Sequence, residues 1–154
     1  MMRLFAVVLG AILVVAASGP AAAQTLSGTA SGAGAVEIDP LSGGLPGVTC
    51  LISASGSVYP GVAPINQADV DPGHPLCGTI EPWGAWMIMP IPSNYSDVEF
   101  YLGFDAPGLG TRCYGLATAA LSGGVLTFSN VSLPAVLGVN SCYLDGSINL
   151  GLSL

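Results

Sequence analysis

Beyond residue 23 this chain leaves no room for a helix of ordinary length. Gly, Pro, Ser and Asn recur every few residues, 22 Gly and 12 Pro in all. No stretch between them keeps an apolar period of three to four residues for three turns. What lies between the breaks is a series of short runs, alternating or rich in β-branched and aromatic residues, which is how strands are written. Residues 25–38 predict a first strand, and residues 48–59, carrying Cys50, Ile52 and Val58, a second. Residues 76–80 and 85–91 predict strands on either side of a Glu81-Pro82-Trp83-Gly84 turn. Residues 98–104, 112–120 and 125–128 follow, with Gly123-Gly124 placed for a hairpin turn. Residues 141–154 put Ile148, Leu150, Leu152 and Leu154 on one face of a last strand. The expected fold is all-β, an antiparallel β-sandwich. A transmembrane barrel would require longer alternating strands and aromatic girdles.

The first 23 residues read differently. Met1-Met2-Arg3 supplies a positive start, residues 4–15 are almost unbroken apolar, and Ala21-Ala22-Ala23 precedes Gln24. That order of charge, apolar core and small residues is a cleavable secretory signal. The apolar run is short for a membrane span, and no second long run follows, so no transmembrane segment is expected in the mature chain. Cleavage is expected after Ala23, giving a signal peptide of residues 1–23 and a single β-sandwich domain of residues 24–154. The expected location is secreted or cell-surface, with the periplasm as the alternative.

Charge narrows the partners. Nine acids face two basic residues, Arg3 and Arg112, and the net charge is −7. With no basic patch there is nothing to hold a phosphate backbone or an anionic headgroup, so no nucleic acid and no anionic lipid is expected as partner. Hydrophobic residues make up 51% of the chain and charged ones 7%. Disordered chains show the reverse balance, so this one folds, with a weakly charged surface of Ser, Thr, Asn and Gly.

Four cysteines, Cys50, Cys77, Cys113 and Cys142, follow the signal sequence. An exported chain meets an oxidising compartment, which makes two disulfide bonds the expectation. Metal binding would want closely spaced Cys or His ligands, and the sequence has one histidine, His74. Four cysteines allow three pairings; the near-equal intervals favour Cys50 with Cys77 and Cys113 with Cys142. No cofactor is expected.

Residues placed for chemistry are few. His74 lies in Asp71-Pro72-Gly73-His74-Pro75, a turn sequence, and no G-x-S-x-G elbow accompanies it. Asp69 with Asp71, and Asp97 with Glu99, alternate and so share a face, as solvated surface acids do. The full calcium-loop pattern is missing around Asp69. Ser31-Gly32-Ala33-Gly34 and Leu41-Ser42-Gly43-Gly44 lack the lysine of a nucleotide loop. Asn94-Tyr95-Ser96 and Asn130-Val131-Ser132 match the short glycosylation sequon. No catalytic residue and no metal ligand is expected, and the chain is read as not an enzyme. Trp83, Trp86, Met87 and Met89 form the densest bulky cluster. They are the candidate apolar contact patch, against the alternative that they fill the core near Cys77.

One resemblance adds to this. Pro75-Leu76-Cys77-Gly78-Thr79-Ile80 with Pro82-Trp83, then Cys113, then Leu126-Thr127-Phe128-Ser129-Asn130-Val131, and finally Ser141-Cys142 on to Ser147 resemble the alkane oxidation protein activators, the PraB-like family of small exported bacterial proteins. The similarity spans roughly residues 48–148. It implies secretion, a surface or biofilm-matrix role and support of growth on hydrophobic substrates, and it implies no catalytic residue. The expected function is a secreted, non-enzymatic surface or matrix protein touching hydrophobic phases, cells or biofilm matrix, with self-association or a hydrophobic surface as partner. The alternative is a subunit of an exported fibre or adhesin assembled by β-strand addition, with residues 25–38 or 141–154 as the donated segment.

Overall fold

The computed structural model describes residues 24–39, 47–71, 74–138 and 141–154. The expected signal peptide and the Leu41-Ser42-Gly43-Gly44 turn lie outside the described residues. Eleven strands occur among the described residues: β1 (Ser27–Gly28), β2 (Ala30–Asp39), β3 (Val48–Gly56), β4 (Ala63–Asp71), β5 (Glu81–Pro82), β6 (Trp86–Pro90), β7 (Asp97–Ala106), β8 (Thr111–Ser122), β9 (Gly124–Leu133), β10 (Ala135–Leu137) and β11 (Cys142–Ser153). All their pairings are antiparallel. The chain is all-β, as its punctuation predicts.

The strands close into a barrel. Eight of them form a ring in the order β2, β3, β4, β6, β7, β8, β9, β11 and back to β2. The expected sandwich is therefore corrected: its two walls are hydrogen-bonded to each other along both sides. One wall is β9–β11–β2–β3–β4 and the other β6–β7–β8. They join at two short seams, residues 63–65 against 86–88 and residues 120–122 against 125–127. Alternation along a strand is the same in a sandwich and in a barrel, and seams this short leave no mark on it. The second seam starts at the expected hairpin. Ser122 faces Val125, and Gly123 and Gly124 both take positive φ, 58° and 87°, as a two-residue type I′ turn demands.

Other expectations shift locally. Residues 76–80 form no strand; Cys77–Thr79 is a turn of 3-10 helix. Pro75 has no N–H to give a ladder, and successive N–H groups turn back instead, Cys77 to the His74 carbonyl and Thr79 to the Leu76 carbonyl (2.9 and 3.0 Å). The expected turn at Glu81-Pro82 is instead the short strand β5, paired with β7 through Asp105 and Phe104. β4 and β10 had no counterpart among the expected strands.

The barrel is filled. Inward residues of the ring strands are apolar apart from Thr111 at the start of β8, and Phe100, Phe104, Phe128, Ile38, Ile52, Ile88, Leu126, Leu144, Ile148 and Leu150 are fully buried. An eight-stranded ring leaves just enough interior for side chains. Polar residues face outward, the reverse of the order a bilayer imposes on a barrel. No helix among the described residues is long and apolar enough to cross a membrane.

Two disulfides are present, Cys50–Cys77 and Cys113–Cys142, the pairing the intervals favour. Each lies along the strands from a seam, Cys113 seven residues before Ala120 and Cys50 six residues before Gly56, the β3 partner of Ile65. Past Ile65, β4 leaves β6, and the Cys77–Thr79 turn there is tied to β3 through Cys50. Before Ala120, β8 and β9 part; Cys113 in β8 and Cys142 in β11 bridge that side, with Leu133-Pro134-Ala135 between them in the ladder.

Candidate functional site

Pleating decides which of the four clustered residues can meet a partner. In β6, Trp86 and Ile88 point inward, whereas Met87 and Met89 point outward. Trp86 is 4% exposed, its ring edge-on to Phe100 and Phe104 at 5.6 and 5.3 Å, and its Nε1–H donates to the Gly103 carbonyl at 3.1 Å. Trp86 is core and leaves the candidate patch. Met87 and Met89 are half-buried on the outer wall, and so is Trp83, just before β6.

The outward positions continue the patch across strands. Pro64 of β4 pairs with Met87, Met87 with Tyr101 of β7, and Tyr101 with Leu116 of β8. This makes an apolar row across four strands, ending on Leu116 at 40% exposure. Directly opposed residues on one face lie within contact distance of each other. The parallel row, Met89, Glu99 and Thr118, is more polar.

Toward the other end of the same wall, Trp83 stacks edge-on against Tyr114 at 5.5 Å, and the Arg112 guanidinium lies 4.8 Å from the Trp83 ring centre. Arg112 also pairs with Asp105, and the Tyr114 hydroxyl donates to the Ala85 carbonyl at 2.9 Å. Gly103 and Gly84 leave room for Tyr114; a Cβ at either would come within 2.6 Å of its ring. Beside Arg112, β10 adds exposed Val136 and Leu137. Sequence reasoning missed Tyr101, Tyr114 and Leu116, because they join the patch only through strand pairing. The signal that could have found them is the odd-numbered alternation of β7, Glu99, Tyr101 and Gly103, once β7 is placed beside β6.

The opposite wall has another character. Its outward positions are mostly small or polar, Ser31, Ala33 and Ala35 on β2, Ser53 and Ser55 on β3, Ser147 and Asn149 on β11, and Gln67, Asp69 and Asp71 on β4, with Leu51 of β3 a large apolar residue among them at 46% exposure. A depression of about 490 Å³ opens where β9 bulges away from β11, lined by Glu37, Asp39, Asn130, Tyr143, Leu144 and Asp145. Asn130, at φ 49°, donates its N–H to Asp145 Oδ2 at 3.0 Å, and Asp145 lies directly across from Glu37. Like charges so opposed cost stability. Among the described residues no group of three or more His, Cys, Asp or Glu side chains stands close enough to share a metal ion.

The remaining candidates are scattered. His74 is exposed, its Nδ1 accepting from the Leu76 N–H at 3.2 Å. Asp69 and Asp71 are exposed on β4, and Asp97 and Glu99 face outward on the other wall. Asn94 caps its own turn, accepting from the N–H groups of Ser96 and Asp97. Both segments expected as donated strands, β2 and β11, are flanked by partners on each side within the ring. No family model, no curated protein and no solved structure matches this chain.

Proposed function

We propose that the protein is a secreted, non-enzymatic surface or matrix protein whose β6–β7–β8 wall makes contact with a hydrophobic phase, a cell surface or biofilm matrix. The observation that carries this reading is the outward row Pro64, Met87, Tyr101 and Leu116, flanked by Trp83 and Tyr114. A wall that holds Met, Tyr and Leu outward keeps apolar surface in water that the filled interior has no need of. Export is supported by the two disulfides, which persist in oxidising compartments. The resemblance to the alkane oxidation activators points to the same kind of task. Fibre assembly by strand addition finds less support, since donating β2 or β11 would open the ring.

The test is adsorption at an oil–water interface, followed by the fall in interfacial tension. The wild-type protein lowers it, and the double variant Met87→Ser with Leu116→Ser does so markedly less at an unchanged unfolding midpoint. Ala33→Ser with Ala35→Ser, on the other wall, behaves as wild type. Equal adsorption by all three proteins would remove the assignment to this wall. Recovery of the protein from medium or cell surface, rather than cytoplasm, tests its export.

A further inference from the structure

Gln24 is the one described residue whose side-chain amide has both polar atoms buried and unpartnered: Nε2 and Oε1 each lack a hydrogen-bond partner. An amide in that state costs roughly 1–3 kcal/mol relative to one left in water. The backbone around it is not loose. Leu26 is buried, Ser27 and Gly28 pair with Ser153 and Leu152, and the Thr29 N–H donates to the Gly151 carbonyl at 3.1 Å. The chain is thus pinned to the barrel rim from its third residue after Ala23, two residues beyond Gln24.

Ala21-Ala22-Ala23 places the expected signal cleavage directly before this residue. Cleavage there would add a charged α-ammonium to a terminus that already holds an unsatisfied amide. We propose that Gln24, once it is the amino-terminal residue, closes into a pyroglutamyl lactam, so that the mature protein carries no primary amine at all. The α-nitrogen attacks the side-chain Cδ; the new N–Cδ bond forms, the Cδ–Nε2 bond breaks, and the α-amine's proton leaves with Nε2 as ammonia. No oxidant or second substrate enters. Attacking and leaving groups belong to one residue, which makes the step intramolecular and favoured by proximity. The product keeps one carbonyl and one N–H in place of an amide NH2 and a charged amine, leaving fewer polar groups to satisfy.

The two basic residues are Arg3 and Arg112, and the chain has no Lys. A linear mature chain would therefore hold one primary amine, its α-amine, and the lactam removes it. A surface protein of this kind is closed to amine-directed cross-linking, transpeptidation and glycation. The inference rests on cleavage after Ala23 and is independent of the contact wall.

Intact-mass measurement and amine labelling of the exported protein, purified from the producing cell, provide the test. The expected mass is that of residues 24–154 with two disulfides, less one ammonia, and the denatured chain takes up no amine-reactive dye. Pyroglutamyl aminopeptidase then exposes Thr25 and restores labelling to one dye per chain. Gln24→Ala, exported with the same leader, labels at one dye per chain without that treatment. A wild-type mass showing an open Gln24, dye uptake before treatment, or a different first residue overturns the proposal. If the variant fails to be exported, the wild-type mass and labelling decide alone.

Discussion

Trp86 and Met87 are neighbours in one strand, and the pleat separates their roles. The indole of Trp86 fills the interior between Phe100 and Phe104, so Trp86→Ala should cost about 3–5 kcal/mol by cavity formation. Met87→Ser removes a half-exposed side chain and should cost about 1 kcal/mol or less. Urea unfolding midpoints of the two variants test the contrast; equal losses would place Met87 in the core as well. Glycine gives a second contrast at this scale. A Cβ on Gly34 would lie 2.0 Å from the Ser147 carbonyl oxygen, where β2 crosses close over β11, whereas a Cβ on Gly108 meets nothing within 4 Å. Gly34→Ala should therefore lose roughly 1–3 kcal/mol or more through a forced shift of paired backbone, and Gly108→Ala should stay within about 0.5 kcal/mol. Thermal unfolding of both reads the difference. From the sequence, Gly34 was visible only as part of a flexible Ser31-Gly32-Ala33-Gly34 segment; that it lets two strands approach depends on a partner more than 100 residues away, which no local pattern encodes.

At the scale of elements, the disulfides and the seams belong together. Each ring closure rests on only three residue pairs, and each disulfide adds a tie six or seven residues farther along the strands. Opening Cys113–Cys142 by the double replacement Cys113→Ser and Cys142→Ser should lower stability by about 3–4 kcal/mol in the chain-entropy model. The loss should also have a place. Hydrogen exchange should quicken first in β9 and β10, whose pairing with β8 is short, while the long β2–β3 ladder, running from Ala30 with Gly56 to Ile38 with Val48, keeps its protection. Uniform quickening across both walls would mean the bridge stabilises the barrel globally and holds no seam. Most elements were legible beforehand: β7 from its aromatic alternation, β11 from Ile148, Leu150 and Leu152, the hairpin from Gly123-Gly124. β4 was not, because its inward residues, Ile65, Ala68 and Val70, are modest and half-buried beside a seam and its outward ones are Gln67, Asp69 and Asp71. The 76–80 segment misled for the opposite reason. Its Cys77 is buried at a covalent tie to β3 and not in a sheet.

The whole molecule is a filled barrel with two unlike walls and very little positive charge. Closure was beyond the reach of the sequence, since inward–outward alternation is common to sandwiches and barrels. The contact wall was half legible: Trp83, Met87 and Met89 are adjacent in the chain, whereas Tyr101, Leu116 and Tyr114 arrive by register. If the wall binds through apolar surface, salt acts on the molecule in a definite direction. Each copy carries a net charge of −7, so copies crowding onto a neutral oil surface repel one another. Raising ionic strength from about 0.01 M to about 0.1 M shortens the Debye length from about 30 Å to about 10 Å and weakens that repulsion. Adsorbed density on a neutral oil should therefore rise with salt, while vesicles of anionic lipid stay free of protein at both concentrations. Met87→Ser with Leu116→Ser should lower adsorption at every salt level, because it removes the attraction and leaves the charge untouched. Quartz-crystal or ellipsometric isotherms at the two ionic strengths separate the cases. Adsorption that falls as salt is added would show that charge, and not the Pro64–Met87–Tyr101–Leu116 row, holds the protein at the surface.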